Sequence, residues 1–212
     1  MALDVSALAA PFFATLALVV VLGPAVLYII TRGVDQGRIA GFASAAGIAT
    51  GGLVHVVGAA LGLSAIIASS SIAFSALKYL GAAYLVFLGI RTLLTRPAPL
   101  AEASRTPRTI RNLYSQGVVV QALNPKVALF FLAFLPQFVD PSRGSVLRQT
   151  LVLGAMFIVL GFCTDSLYAF VAGGAGDWLR RQPAFASVQR YVAGAVFIGL
   201  GLTTAFSGGR SK

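Results

Sequence analysis

Ionisable side chains are scarce in this 212-residue sequence, and acidic ones are the scarcest. Only 10% of the residues are charged, with six Asp and Glu against sixteen Lys and Arg. A soluble domain carries about 25% charged residues. Apolar residues make up 58% of the chain, and its mean hydropathy is +0.88. The composition therefore excludes an ordinary soluble protein and predicts a single integral membrane domain.

Cysteine and histidine each occur once, as Cys163 and His55. One cysteine excludes an intrachain disulfide, a two-thiol redox relay and a cysteine-rich metal site. One histidine also argues against a histidine-based metal site. We therefore expect neither a metal nor a cofactor.

The net charge of +10 comes from basic residues that lie mainly in the connections between apolar runs. This distribution indicates membrane orientation and not nucleic-acid binding, because cytoplasmic connections are rich in Lys and Arg. The richer side collects Arg32, Arg38, Arg91, Arg96, Arg105, Arg108, Arg111, Arg180, Arg181 and Arg190. We predict that this side is cytoplasmic and that both termini face outward.

Apolar stretches long enough to cross a bilayer, which takes about 20 residues, recur along the chain. They predict an all-α integral membrane protein with six transmembrane helices. The first, without a basic leader, is interpreted as a retained helix and not a cleaved signal peptide. The predicted spans are about 5–30, 39–68, 72–94, 113–139, 150–176 and 191–207.

The six spans divide into two halves around a basic loop at 96–112, with repeat A at about 5–95 and repeat B at about 113–208. Three spans in each half imply that the halves insert in opposite directions. A shift of 110 positions places the run Val-Phe-Leu-Gly at 86–89 on Val-Phe-Ile-Gly at 196–199. The same shift places His55 on Asp165. We therefore predict two inverted three-helix repeats.

The first and fourth spans each contain a helix-breaking pair, Gly23-Pro24 and Asn124-Pro125. Proline removes a backbone donor and clashes with the preceding turn, and asparagine competes for the backbone groups that are freed. Interruptions in corresponding segments of two halves are typical of a transporter binding site. The alternative is a pair of simple kinks, since proline is common in membrane helices.

Lys126 directly follows the second pair, near the middle of its predicted span. A charge at that depth costs about 2.5–3.5 kcal/mol on insertion scales, so intramembrane charges usually mark functional sites. We expect Lys126 to face a polar cavity, where it pairs with a substrate carboxylate or with Asp165. The alternatives are a side chain that reaches the cytoplasmic interface and a purely structural ion pair.

Asp165 and His55 are the candidates for proton coupling. Burial in a membrane disfavours a charged carboxyl, which suits Asp165 to carry a proton or to anchor a substrate ammonium. The alternative is a hydrogen bond to the backbone or to Thr164. His55 is a residue type that suits a proton relay, or it is only a packing residue.

Several stretches, in this order and at these separations, resemble the LysE/RhtB family of amino-acid exporters. They are Leu22-Gly23-Pro24, Gly33, Gly37, Gly41, Gly47 through Gly51 to His55, Gly62-Leu63, 78–85 with Leu88-Gly89, Gly117, Asn124-Pro125-Lys126, and 134–138. One difference is Leu22, where family members often have proline.

The resemblance implies a small exporter of the bacterial inner membrane, with periplasmic termini under the orientation above. It also implies that a homo-oligomer in the lipid bilayer exports amino acids or related metabolites, and that the proton gradient drives this export. It implies no enzyme activity.

The working hypothesis is alternating access around a zwitterionic amino acid. Its carboxylate would meet freed N–H groups and Lys126, and its ammonium would meet freed carbonyls and Asp165. One alternative is an exporter of inorganic cations, which predicts clustered acidic ligands where only Asp165 is present. Another is a membrane enzyme, for which His55 with Asp165 is the sole candidate pair and lacks a nucleophile motif.

Overall fold

The structure is a computed structural model that describes residues 5–69, 71–94 and 108–180, together with helical positions 191, 194, 195, 198, 199, 202, 205 and 206. Every regular element in these residues is helical. The α-helices are α1 Val5–Val20, α2 Pro24–Gln36, α3 Arg38–Ser69, α4 Ser71–Leu94, α5 Ile110–Ala122, α6 Pro125–Leu129 and α7 Val146–Arg180. A π-helical turn, Phe130–Phe134, and two 3-10 turns, Leu135–Phe138 and Pro141–Arg143, lie between α6 and α7.

Two stretches of these helices, Arg38–Gly62 and Val146–Gly174, are long and apolar enough to cross a membrane. Two bent pairs can each make one further span. Ala9–Val20 joins Pro24–Gln36 at an angle of 50°, and Ile110–Ala122 joins Pro125–Phe138 at 41°. The described residues thus hold two to four candidate spans. The greater part of the predicted loop 96–112 and of the sixth predicted span lies outside them.

The predicted interruptions appear at both proline pairs. Gly23 is extended, with φ −134° and ψ −175°, and Pro24 opens α2 as its first residue. Proline suits that position, because its missing N–H would have no helical partner there. Asn124 is also extended, and its side chain caps α6 by accepting from the Lys126 N–H. Each break therefore ends one helix and starts another.

Glycines let α3 and α5 pack with their backbones in contact. A Cβ added at Gly47 would lie 2.1 Å from the Tyr114 carbonyl oxygen, and one at Gly51 would lie 2.4 Å from that of Val118. From the other side, a Cβ at Gly117 would lie 2.7 Å from the Ser44 carbonyl oxygen. Small residues at such crossings allow membrane helices to approach closely. This contact fixes the second break beside α3.

Aromatic packing surrounds the end of α1 and the segment after α6. Phe130, Phe134 and Phe157 are buried there, and Leu18 is fully buried against the same cluster. On the outside, α7 exposes large apolar side chains such as Leu167, which is 63% exposed. An exposed apolar helix face of this kind suits contact with lipid.

Candidate functional site

The two helix breaks and the middle of α7 meet around one cavity of about 40 Å³. Its polar lining comes from Gln121, Asn124, Lys126 and Asp165, and Gly23 contributes backbone. The other lining residues are Leu18, Val19, Ala25, Val26, Ile48, Ala49, Val127, Phe157, Ile158, Gly161 and Phe162. The breaks in the first and fourth predicted spans therefore lie close together.

Lys126 is buried, with 7% of its surface exposed, and its ammonium binds the end of α1. The Nζ atom donates to the carbonyl oxygens of Leu18 and Val21, each at 2.7 Å. The last carbonyls of a helix lack partners within it and form the negative end of its dipole. Lys126 therefore stabilises the break in the first span, and its burial rules out a side chain that reaches the interface.

Asp165 is also buried, with 6% exposure, and lies within electrostatic range of Lys126. The neighbouring Thr164 hydroxyl bonds the carbonyls of Leu160 and Gly161 in its own helix, at 2.8 and 2.9 Å. One turn after Asp165, the Tyr168 hydroxyl donates to the Val20 carbonyl at 2.7 Å. Thus α7 supplies both a carboxyl to the cavity and a second donor to the end of α1.

Asn124, Gln121 and His55 form a hydrogen-bonded chain beside the second break. The Asn124 amide donates to Gln121 Oε1 at 3.1 Å, and His55 Nε2 lies 2.7 Å from the Gln121 carbonyl oxygen. Because a carbonyl oxygen only accepts, His55 carries its proton on Nε2. The imidazole also stacks on Phe131, with 6.2 Å between ring centroids. His55 thus supports the break from outside the cavity.

The structure brings together most of the residues predicted for the site. Gly23, Asn124, Lys126 and Asp165 line the cavity. Pro24 and Pro125 stand next to it as the first residues of α2 and α6. His55 is not part of the lining and connects to it only through the Gln121 carbonyl.

Two contributing side chains were missed by sequence reasoning. Gln121 precedes Asn124 by one helical turn, and Tyr168 follows Asp165 by one turn. Tyr168 shares a face of α7 with Asp165, and the spacing of three residues from Asn124 is the corresponding signal for Gln121.

The cavity combines a basic and an acidic side chain. Lys126 and the start of α2 supply positive potential, since the first N–H groups of a helix are unpaired and its dipole is positive there. Asp165 supplies a carboxyl. Such an arrangement suits a small zwitterion. Among the described residues, no three His, Cys, Asp or Glu side chains cluster closely enough to hold a metal ion.

The chain is similar in sequence to known membrane proteins. A family model described as "LysE type translocator" matches residues 16–208. The chain is 28% identical to the uncharacterized membrane protein YrhP of Bacillus subtilis, over 90% of this chain and 94% of that protein. It is 32% identical to a homoserine/homoserine lactone efflux protein of Salmonella typhi, over 74% of this chain and 76% of that protein. No solved structure matches the chain.

Proposed function

Because the chain belongs to the LysE type translocator family, a family of multi-pass membrane proteins, we propose that it exports amino acids or close derivatives from the cytoplasm. Homoserine and homoserine lactone are the first substrates to test, from the name of the Salmonella relative. The observation that carries the proposal is the meeting of both interrupted spans at one buried cavity with Lys126 and Asp165.

The substrate binds as a zwitterion in this proposal. Its carboxylate faces the start of α2, at Gly23 and Pro24, and the break at Asn124 and Pro125, with the Lys126 ammonium close by. Interrupted membrane helices bind anionic groups at such starts. Its ammonium faces Asp165 across the cavity.

Transport proceeds by alternating access. A cavity of about 40 Å³ holds a few water molecules and is too small for an amino acid. Substrate binding therefore requires the half-helices at the breaks to separate and enlarge the cavity. Lys126 bridges α6 to the end of α1, so its carbonyl contacts are the ones that such a movement would alter.

The proton gradient supplies the driving force in this scheme. Asp165 is the principal proton carrier, because it lines the cavity, and a proton on its carboxyl weakens its attraction for the substrate ammonium. His55 remains a second candidate, since it touches the break through the Gln121 carbonyl. The protein would work in the bacterial inner membrane as a homo-oligomer with periplasmic termini.

An accumulation panel tests the export function. Cells that overproduce the protein are challenged with single amino acids and toxic analogues, and the intracellular concentration of each is measured. We expect lower accumulation of homoserine-type compounds than in cells that carry the empty vector. Equal accumulation of every compound in both strains would contradict amino-acid export.

A further inference from the structure

A second and more open cavity, a groove of about 410 Å³, lies between α2 and α5. Its lining is Tyr28, Arg32, Ser115, Gln116, Val119 and Val120. Arg32 follows Pro24 by eight residues, which is about 12 Å along a helix axis. Helix α2 begins at the first break and α5 ends at the second, so the other end of each helix lies toward the side with more basic residues. The second cavity therefore lies between that side and the mid-membrane cavity.

A thin apolar layer separates the two cavities. Tyr28 and Val120, from the second cavity, pack against a buried cluster that contains Ala25 and Ile48. Ala25 and Ile48 also line the mid-membrane cavity. A solute that leaves the second cavity thus has one layer of side chains to cross before it reaches Lys126 and Asp165.

Arg32 is held firmly but retains donor capacity. Its guanidinium carbon lies 5.4 Å from the centroid of the Tyr28 ring, and the Tyr28 hydroxyl donates to the Leu113 carbonyl at 2.7 Å. The Arg32 Nε atom is buried and has no hydrogen-bond partner among the described residues. Its Nη1 atom is 3.9 Å from Asp35 Oδ2, beyond hydrogen-bond length. Buried donors without partners are rare, which indicates a contact still to be made.

The chemistry of the second cavity suits the carboxylate of an amino acid. A guanidinium presents a planar set of donors that matches a carboxylate, and partial burial strengthens the pairing. Asp35 places a negative charge beside Arg32, which favours a zwitterion over a simple anion. Val119 and Val120 give the cavity an apolar wall for a small side chain.

We propose that Arg32 forms a loading site, where the substrate carboxylate binds before the substrate enters the mid-membrane cavity. This proposal rests on the proposed export function and on the predicted orientation. It assigns to Arg32 a role in capturing substrate from the cytoplasm, whereas Lys126 and Asp165 act at the mid-membrane cavity.

Uptake into inside-out vesicles tests the loading site, because their outer surface is the cytoplasmic face. Initial rates are measured against concentration for L-homoserine and for homoserine lactone, which lacks a free carboxylate. In Arg32→Gln we expect the half-saturating concentration of L-homoserine to rise about tenfold, the size expected for loss of one charged hydrogen bond. The maximal rate and the values for the lactone should stay within about twofold of wild type, a change too small to reflect a lost charged contact.

Two variants serve as comparisons. Arg32→Lys keeps the charge but not the planar donors and should give an intermediate shift. Arg111→Gln removes an exposed cation at the start of α5. It should leave the half-saturating concentrations of both substrates unchanged. An equal shift for both substrates, or none for L-homoserine, would overturn the loading site while wild-type uptake still supports export.

Vesicle composition distinguishes a substrate carboxylate from a lipid phosphate. The purified protein is reconstituted with the same face outward, in phosphatidylcholine with and without phosphatidylglycerol. An Arg32→Gln effect of equal size in both lipids supports the loading site. An effect that appears only with phosphatidylglycerol assigns Arg32 to a lipid headgroup and overturns the proposal. Absence of wild-type uptake of both substrates contradicts export of homoserine-type compounds, on which the loading site rests.

Discussion

Lys126 binds backbone carbonyls in the structure and is also proposed to bind the substrate. Its ammonium holds the Leu18 and Val21 carbonyls at 2.7 Å, and the same positive charge faces the cavity beside Asp165. A hydrogen bond to a charged group contributes about 1.5–3 kcal/mol. The residue that stabilises the first break is thus also placed to sense a substrate.

Replacement of this ammonium gives the first prediction. Lys126→Gln should lower export of the substrate by more than about tenfold, because loss of charged hydrogen bonds to the end of α1 destabilises the break. Efflux from preloaded vesicles measures the effect, normalised to the amount of protein in the membrane. Arg148→Gln, an exposed change at the start of α7, is the matched loss of one positive charge. Wild-type efflux in Lys126→Gln would remove Lys126 from the mechanism.

Replacement of Asp165 and replacement of His55 should affect proton coupling of efflux differently. Vesicles are preloaded with substrate, and efflux is compared with and without an imposed pH gradient that is acidic outside. Asp165→Asn should lose the acceleration by the gradient, because an amide takes up no proton. His55→Gln should retain it, since His55 lies outside the cavity lining. Gradient-driven efflux in Asp165→Asn, with its loss in His55→Gln, would assign coupling to His55.

At the scale of elements, the α3–α5 contact depends on residues without a Cβ. Gly47 and Gly117 meet the opposite backbone directly, whereas a Cβ at Gly58, also on α3, would have nothing within 4 Å. Both Gly47 and Gly58 lie inside one helix, so the change to alanine brings the same gain in helix propensity at each. They therefore form a matched pair that isolates packing.

Thermal unfolding in detergent tests this contact. Gly47→Ala should destabilise the protein by about 1–3 kcal/mol through overpacking against the Tyr114 carbonyl. Gly58→Ala should be neutral or slightly stabilising. Equal midpoints for the two variants would show that α3 and α5 are not in backbone contact.

The two helix breaks were predictable from the sequence, because a break is caused by the residues at that position. Pro24 and Pro125 lack the donor that a continuous helix needs, and α3 and α4 match the predicted helices to within one residue at each end. The partners of the site residues were not predictable in the same way. Lys126 binds backbone carbonyls more than 100 positions away, and Tyr168 reaches Val20. Every residue has a backbone carbonyl, so the sequence does not indicate which carbonyls accept from these side chains. Only the packing of the helices determines that.

The proposed direction of export depends on how the whole molecule is oriented in the membrane. The loading site requires the basic side to face the cytoplasm, and the inverted repeat remains a prediction. Reporter fusions at the C-terminus test this orientation. Alkaline phosphatase at the C-terminus should be active and green fluorescent protein dark, because periplasmic export permits the first and prevents the second. A fluorescent C-terminal fusion would reverse the orientation and place the Arg32 cavity on the outer side.

In the proposed mechanism, substrate binds in the cavity between the two helix breaks. Gly161 lines that cavity one turn before Asp165, and a Cβ there would make only an ordinary contact with Val19, at 3.8 Å. Gly161→Cys is therefore tolerated sterically and, in a Cys163→Ser background, gives a single reactive thiol at the site. Arg148→Cys in the same background gives an exposed control.

The decisive measurement is the alkylation rate of each thiol by a small water-soluble maleimide, with and without the substrate that the accumulation panel identifies. We expect substrate to slow alkylation of the Gly161→Cys variant in a saturable way and to leave the rate of the Arg148→Cys variant unchanged. If saturating substrate changes neither rate, the substrate does not bind between the breaks.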